Sequence, residues 1–456
     1  MAKLSSIVSA FTISLVLGAT YGLAQSITSG VIQEDPWSKL SDASQGAISS
    51  AFLVGGALGS FGGGFLSKQF GAVKTLNWSC ITVSVCAIVL SFQQSFILLL
   101  IFRFLTGIPI GILSAVAPLH VTKLVKKERS GTLLSTFQLA ITIGILLAYL
   151  INIIFNSVKS GWRVEFLLTG VLPFLYFTLG CKLDHTPHSD DENVASTELF
   201  EDETDLSADQ FPSSEQSNTS MFNDAGQEAS EPTPDEIPIS DVPSRNTPPA
   251  RRNFTSSRKI SFVQELTSML PSFLSCSMMA VFSQLSGINS IILFSPTIFS
   301  SAGVKSAIGR LWCTAAVGAW NFLTTFIPVF LSDRLGIRTM MIAGYGLMAL
   351  GHLFVILSVI TQNLVLSFLG LASFLLGFEV GPGPLTNALL TNNFSKAQHS
   401  SLFMSLFLAM NWVTNIILVF SFLPLQNILG ANILSGFFIL ICLLSIALLR
   451  WCVVIR

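Results

Sequence analysis

Twelve windows of about twenty apolar residues run through this 456-residue chain, and they constrain it more than any other feature. A bilayer core takes roughly 20 helical residues at ~1.5 Å rise each, so every window is long enough to span one. The windows fall at about 6–32, 45–67, 75–93, 96–120, 131–156, 163–183, 268–298, 308–331, 339–360, 363–393, 399–423 and 426–450. The first, beginning Met1-Ala2-Lys3, has the look of a signal peptide, but its apolar run continues to Ile32 and eleven more follow. It reads as a retained membrane helix. Only 11% of residues are charged, against about 25% in soluble domains, which sets an ordinary soluble enzyme aside.

One segment breaks the pattern. Seventeen of the 25 acids lie between Asp184 and Asp241, a stretch without Lys or Arg, and eight of the 18 prolines fall within 183–258. Such a segment cannot bury enough apolar surface to offset its ordering entropy, so disorder is expected there. The domain reading is therefore a six-helix half over 1–183, an acidic cytoplasmic linker over 184–258, and a second six-helix half over 259–456. Outside the linker, eight acids face all 24 Lys and Arg. That charge is spread over an apolar body and forms no basic cluster for nucleic acid. The cysteines Cys80, Cys86, Cys181, Cys276, Cys313, Cys442 and Cys452 show no CxxC pair, so no metal site or disulfide framework is expected.

The two halves echo each other. Phe65-Leu-Ser-Lys-Gln-Phe-Gly71 follows the second window and Phe330-Leu-Ser-Asp-Arg-Leu-Gly336 the eighth, four identities in seven at matched positions. Duplication of a half is how many transporters are built. Lys and Arg set the orientation. With both termini cytoplasmic, that side holds 18 of them, and the opposite loops hold five: Lys39, Lys159, Arg163, Lys305 and Arg310. The sequons at Asn77, Asn218, Asn253 and Asn393 then all face the cytoplasm and stay unmodified.

Polar side chains inside a membrane are costly and so point to function. Gln138 lies in helix five, Gln284 and Asn289 in helix seven, Asn321 in helix eight, Glu379 and Asn387 in helix ten, and Asn411, Trp412 and Asn415 in helix eleven. Neutral amides offer donors and acceptors to a hydroxyl-rich, uncharged ligand, and an indole can cover its C–H face. Single amides also hold membrane helices together, so each alone is ambiguous while the set is not. Gln284 and Asn289 sit about 140° apart on an ideal helix of 3.6 residues per turn. They share a face only if the helix loosens at Gly287; otherwise they flank a cavity from two sides. Glu379-Val-Gly381-Pro382-Gly383-Pro384 interrupts helix ten, as a static kink or a gating hinge. Gly55, Gly59 and Gly63, with Gly107 and Gly111, read as close helix contacts.

Taken together, Gln138 with its downstream Ile-Thr-Ile-Gly-Ile, Gln284-Leu-Ser-Gly-Ile-Asn289, the Glu379–Pro384 run and Asn411-Trp412 resemble the sugar porters of the major facilitator superfamily. The resemblance covers both halves. It implies an all-α fold of twelve transmembrane helices in two six-helix halves, with rocker-switch alternating access. It also implies that Gln138, Gln284, Asn289, Asn321 and Asn411 hydrogen-bond a sugar beside Trp412. Ser283, Asn387 and Asn415 complete the candidate substrate set. Arg103, Asp333, Arg334, Arg338, Glu379, Gly381, Pro382, Gly383 and Pro384 form the candidate gating set.

Several positions depart from the family pattern. Ser283 replaces the first of two glutamines, and Asn387 replaces a tryptophan. Lys68-Gln-Phe-Gly-Ala-Val replaces the acid-Arg-x-Gly-Arg-Arg signature after helix two, while Asp333-Arg334-Leu-Gly-Ile-Arg338 keeps more of its repeat. Lys123 and Asn392 stand where acids are usual. Matching Gly30-Val31-Ile32 to the family puts Thr28 where proton-coupled members carry an aspartate near Arg103, and threonine carries no proton. Glu165, next to Arg163, reads as a surface pair, and His352 as a packed polar residue. The function expected is facilitative uniport of a neutral monosaccharide, a hexose favoured. A non-transporting sugar sensor and a proton-coupled symporter remain as alternatives. No enzyme activity, cofactor or metal is expected. The expected partners are a neutral sugar and the lipid bilayer, for a monomer in the plasma membrane or an organelle membrane.

Overall fold

The computed structural model describes residues 6–125, 127–180, 183, 261–328, 335–394 and 397–451. The linker, Asp333 and Arg334 lie outside the described residues, as does the side chain of Asn387. The first six spans are built from α1 (Ser6–Ser26) with α2 (Thr28–Val31), α3 (Asp42–Phe70), α4 (Ala72–Phe92), α5 (Phe96–Lys123), α6 (Lys127–Phe155), and α7 (Trp162–Thr169) with α8 (Val171–Leu179). After the linker, a short helix α9 (Phe262–Ser268) leads into α10 (Leu270–Leu285) and α11 (Ile288–Ser301). Then follow α12 (Ala307–Thr324), α13 (Ile337–Thr361), α14 (Leu364–Val380), α15 (Pro382–Phe394) and α16 (Ser400–Trp451).

Ten of the described helical segments are long and apolar enough to cross a membrane. The last of them contains two spans, because α16 turns sharply at Gly430, with φ 81°. With α12, whose polar Arg310 and Asn321 dilute it, the spans number twelve. The sequence places the α16 break beside Pro424, but Pro424 sits inside the helix and the chain turns six residues later. Proline removes only one backbone donor, whereas a positive φ needs glycine. Side-chain oxygens cap several helix starts: Ser41 accepts from Ser44 N, Ser306 from Gly309 N and Asn363 from Val365 N. Gly71 and Gly336, at the ends of the repeated heptapeptides, share nearly the same backbone, φ 84° and 74° with ψ 146° and 148°. The duplication therefore extends from residue types to local geometry.

Lipid supplies no hydrophobic drive between helices, so close packing of small residues takes its place. On α3 and α5, a side chain at Gly55 would strike the Phe104 carbonyl, one at Gly59 the Ile108 carbonyl, and one at Gly107 the Phe52 carbonyl. The expected small-residue stripes are thus the α3–α5 contact. We call the face where α1 begins and α16 ends the near face, and the opposite one the far face. On the far face the two sets of helices meet: Asn427 donates to Asp42, and Gly46 lies against the Phe420 backbone. Deeper in, the Tyr149 hydroxyl donates to the Ile292 carbonyl at 2.7 Å. At the near face, Glu265 of α9 ties the α15–α16 connection. Its carboxylate accepts Gln398 N at 2.6 Å, His399 N at 3.0 Å and His399 Nδ1 at 2.7 Å. Desolvation pushes the Glu265 carboxyl up, but these donors outweigh it and hold it below its ordinary value.

Candidate functional site

The site is built around a broken helix. The ladder that would join α10 to α11 stops at Gly287, which adopts φ 99°. Few residues other than glycine take that conformation without strain. The break swings Asn289 back over the end of α10, and Asn289 Nδ2 donates to Gln284 Oε1 at 3.0 Å. Of the two arrangements the sequence left open, the helix loosening at Gly287 is the one found. Asn289 Oδ1 in turn accepts from Gln25 Nε2 at 2.8 Å, so an amide chain crosses from the first half of the molecule to the second. Gln25 was not singled out from sequence. It lies among Thr, Ser and Gly residues at the end of α1, and nothing local marks it.

Below the chain, a cavity of about 410 Å³ lies between α10, the α14–α15 break and α16. Ser283, Gln284 and Asn411 line it, with Pro382, Gly383 and Thr386 opposite, and it runs toward the near face as far as Leu390 and Met404. No residue lining it is charged. Asn411 Nδ2 reaches Ser283 Oγ at 3.5 Å, the outer limit of a hydrogen bond. Asn415, one turn along on the same face as Asn411, is buried with Oδ1 unpartnered. Thr386 escaped the sequence reading because a threonine in a Gly-Pro-rich segment has no distinctive signal.

The structure scatters the remaining predicted residues. Asn321 is buried in a separate small crevice beside Tyr149 and Ile291, and its Oδ1 receives no hydrogen bond. Gln138 is half-buried on α6. Trp412 is buried with its ring edge beside Gly56 of α3, so it bridges the two halves rather than lining the cavity. Gly381 breaks helix ten, with φ −116° and ψ −104°, between α14 and α15. Glu379 is buried just before it, Pro384 is exposed, and Arg338 is exposed at the start of α13.

Two expectations are corrected. Arg103 Nη1 donates to the Ala24 carbonyl at 2.9 Å, and its guanidinium lies 4.6 Å from the Phe52 ring centre. Ala24, not Thr28, therefore faces Arg103. The Ala24 carbonyl receives no Thr28 N–H, because the ladder skips that bond where α1 gives way to α2, and this leaves the oxygen free for Arg103. Glu165 is no surface pair with Arg163: it is fully buried, and Arg163 Nη1 turns to the Ser91 carbonyl at 3.1 Å.

His352 is packed, as expected, and more specifically placed. Its ring lies 4.9 Å from Phe374 and 5.0 Å from Phe438, and Nε2 sits 3.1 Å from the Ser286 carbonyl, next to the Gly287 break. A carbonyl can only accept, so Nε2 carries the proton. His352→Phe keeps the ring contacts and removes this donor. Losing one such bond costs about 1 kcal/mol, so we expect an apparent affinity for the cavity's ligand about 5-fold weaker with little change in melting temperature. Uptake kinetics beside a thermal melt measure both; an unchanged KM means Gly287 alone holds the break.

Comparison with known proteins fixes the family. Residues 2–455 match the family described as "Sugar (and other) transporter". The chain belongs to this family. This transporter is 28% identical to plastidic glucose transporter 4 of Arabidopsis thaliana, over 88% of its length and 69% of the relative's. It is 26% identical to the galactose-proton symporter of Escherichia coli, over 92% and 85%. Its fold matches the crystal structure of a D-xylose-proton symporter with a TM-score of 0.74, at 17% identity over 99% of both chains. An inward-open conformation of the E. coli xylose transporter matches with a TM-score of 0.72, at 17% identity over 99% of this chain and 97% of that one. The expected major facilitator fold and the multi-pass membrane character hold, and the family is one of transporters, not enzymes.

Proposed function

We propose that this protein carries a neutral monosaccharide, a hexose, down its own gradient by alternating access between its two six-helix halves. The observation behind this is the uncharged cavity lined by Ser283, Gln284 and Asn411, with Gln284 linked behind it through Asn289 to Gln25. Amides pair with hydroxyls without demanding a charge, and this chain joins both halves, so a sugar exchanging bonds with it is sensed by both. The far face is closed by the Asp42–Asn427 contact while the cavity runs to the near face. We take the near face as cytoplasmic, from the excess of Lys and Arg on that side. Arg103 meets a backbone carbonyl where a coupling carboxylate would be needed, which favours uniport over symport.

The test is counterflow in proteoliposomes. Labelled hexose should accumulate transiently against preloaded unlabelled hexose, and an imposed inward proton gradient should drive no lasting accumulation. Binding without counterflow makes the protein a sensor. Concentrative uptake abolished by a protonophore makes it a symporter.

A further inference from the structure

A second polar cluster lies away from the cavity, at the far-face end of the first six spans. Glu34, in the connection after α2, and Glu165, in α7, are 9% and 0% exposed. Glu34 reaches the first turn of α7, where Glu165 follows Trp162 by three residues, so the two carboxyl groups share one buried cluster. Glu34 Oε2 accepts Trp162 N at 2.9 Å. Asn152 of α6, its amide oriented from the donors and acceptors around it, donates Nδ2 to Glu165 Oε2 at 3.1 Å and accepts Gly30 N at 2.9 Å. Each carboxyl keeps one oxygen, Oε1, that no other protein donor reaches. The rings of Trp37 and Trp162, packed edge to face at 5.3 Å, lie in the apolar cluster at this end.

Among the described residues, no cation neutralises the pair. Arg163 is directed to Ser91 of α4 and stacks 4.7 Å from the Trp162 ring centre. From α5, Arg103 donates to the Ala24 carbonyl and lies over the Phe52 ring. Lys39 pairs with Asp35 at 2.6 Å, both exposed, and Asp42 of α3 takes Asn427. Lys159, in the α6–α7 connection, is exposed to solvent. Two carboxylates side by side in a dry site cannot both be charged. Burial pushes the Glu34 carboxyl up, and the Trp162 amide only partly opposes it.

We propose that Glu34 and Glu165 form a proton-binding site in which one shared proton holds the far face closed. The connection to the gate is direct. Glu34 follows α2, and α2 packs on α11, the helix that carries Asn289. Removing the proton places two negative charges between the α2 connection and α7, which drives them apart and loosens α2 from α11. The small exposure of Glu34 gives the proton its route, from the far-face solution only. The site therefore sets how that face responds to pH without carrying protons across, an inference that rests on the alternating-access reading above.

Spin labels on Ala43→Cys and Ile428→Cys, in a background free of other cysteines, report the far-face distance without any transport. In the wild-type background, raising the pH should populate a longer distance. In Glu34→Gln/Glu165→Gln, neutral at every pH, that shift should be lost. Glu165→Gln alone, which keeps an amide donor toward Glu34, should behave the same and covers failure of the double variant to fold. Infrared difference spectra at neutral pH should show a protonated-carboxyl band that the double variant lacks, with any Glu379 contribution present in both. A far-face distance insensitive to pH in the wild type, an equal shift in the variants, or identical carboxyl bands would overturn the proposal. Failed counterflow with this pH response intact would sink the carrier reading alone.

Discussion

Asn289→Ala is expected to lower hexose uptake by about 5- to 150-fold, the ~1–3 kcal/mol that a buried polar group costs when its partner is removed. The geometry makes Asn289 the most sensitive position. Its Oδ1 serves Gln25 and its Nδ2 serves Gln284, so truncation strands two amides at once. Gln284→Ala strands only one and should fall in the lower part of that range. The two substitutions touch the same bond, so their combined effect should be smaller than the sum. Ser286→Ala is the control, because its Oγ bonds the Ser283 carbonyl within the same helix and faces no ligand. Initial uptake rates in proteoliposomes give the comparison. If Ser286→Ala is as damaging as Asn289→Ala, the amides are packing elements and the assigned site is wrong.

Gly107→Ala should cause a comparable loss, but of fold rather than function. A methyl group there meets the backbone of Phe52, Gly55 and Gly56 on α3, none of which can swing aside as a side chain would. The helices must separate, and overpacking of this kind costs about 1–3 kcal/mol or more. Gly62→Ala, on α3 itself, meets nothing within 4 Å and should be silent. Thermal melting of the detergent-solubilised proteins should place Gly107→Ala well below wild type and Gly62→Ala beside it. Equal melting temperatures would mean that the α3–α5 contact does not limit stability.

Much of the candidate site was legible in the residues, though less of its geometry. Gln284, Asn411 and Ser283 were recognisable as amides and a hydroxyl at membrane depth, and they do line the cavity. Gln25 and Thr386 were not, because polar residues near a helix end or a Gly-Pro break are ordinary there. Asn321 and Trp412 were marked as site residues by resemblance, yet one sits in its own crevice and the other against Gly56. Which face of a helix meets a cavity depends on its neighbours, and a single helix does not encode them.

By itself the sequence determined the membrane class, the span count, the small-residue stripes of α3 and α5 and the polar identities within the spans. Each is a local property: a bilayer selects on apolar length and on side-chain polarity, one segment at a time. Only the tertiary structure decided which of those groups meet. The backbone turn at Gly287 brings Asn289 onto Gln284, the end of α1 gives Arg103 a carbonyl in place of a side chain, and the packing of α7 beside the α2 connection joins Glu165 to Glu34. A lone buried carboxyl reads from sequence as a surface ion pair whenever an arginine stands two residues away. Its true partner lies in the connection after α2, and burial, which makes the pair share a proton, exists only once the helices have packed.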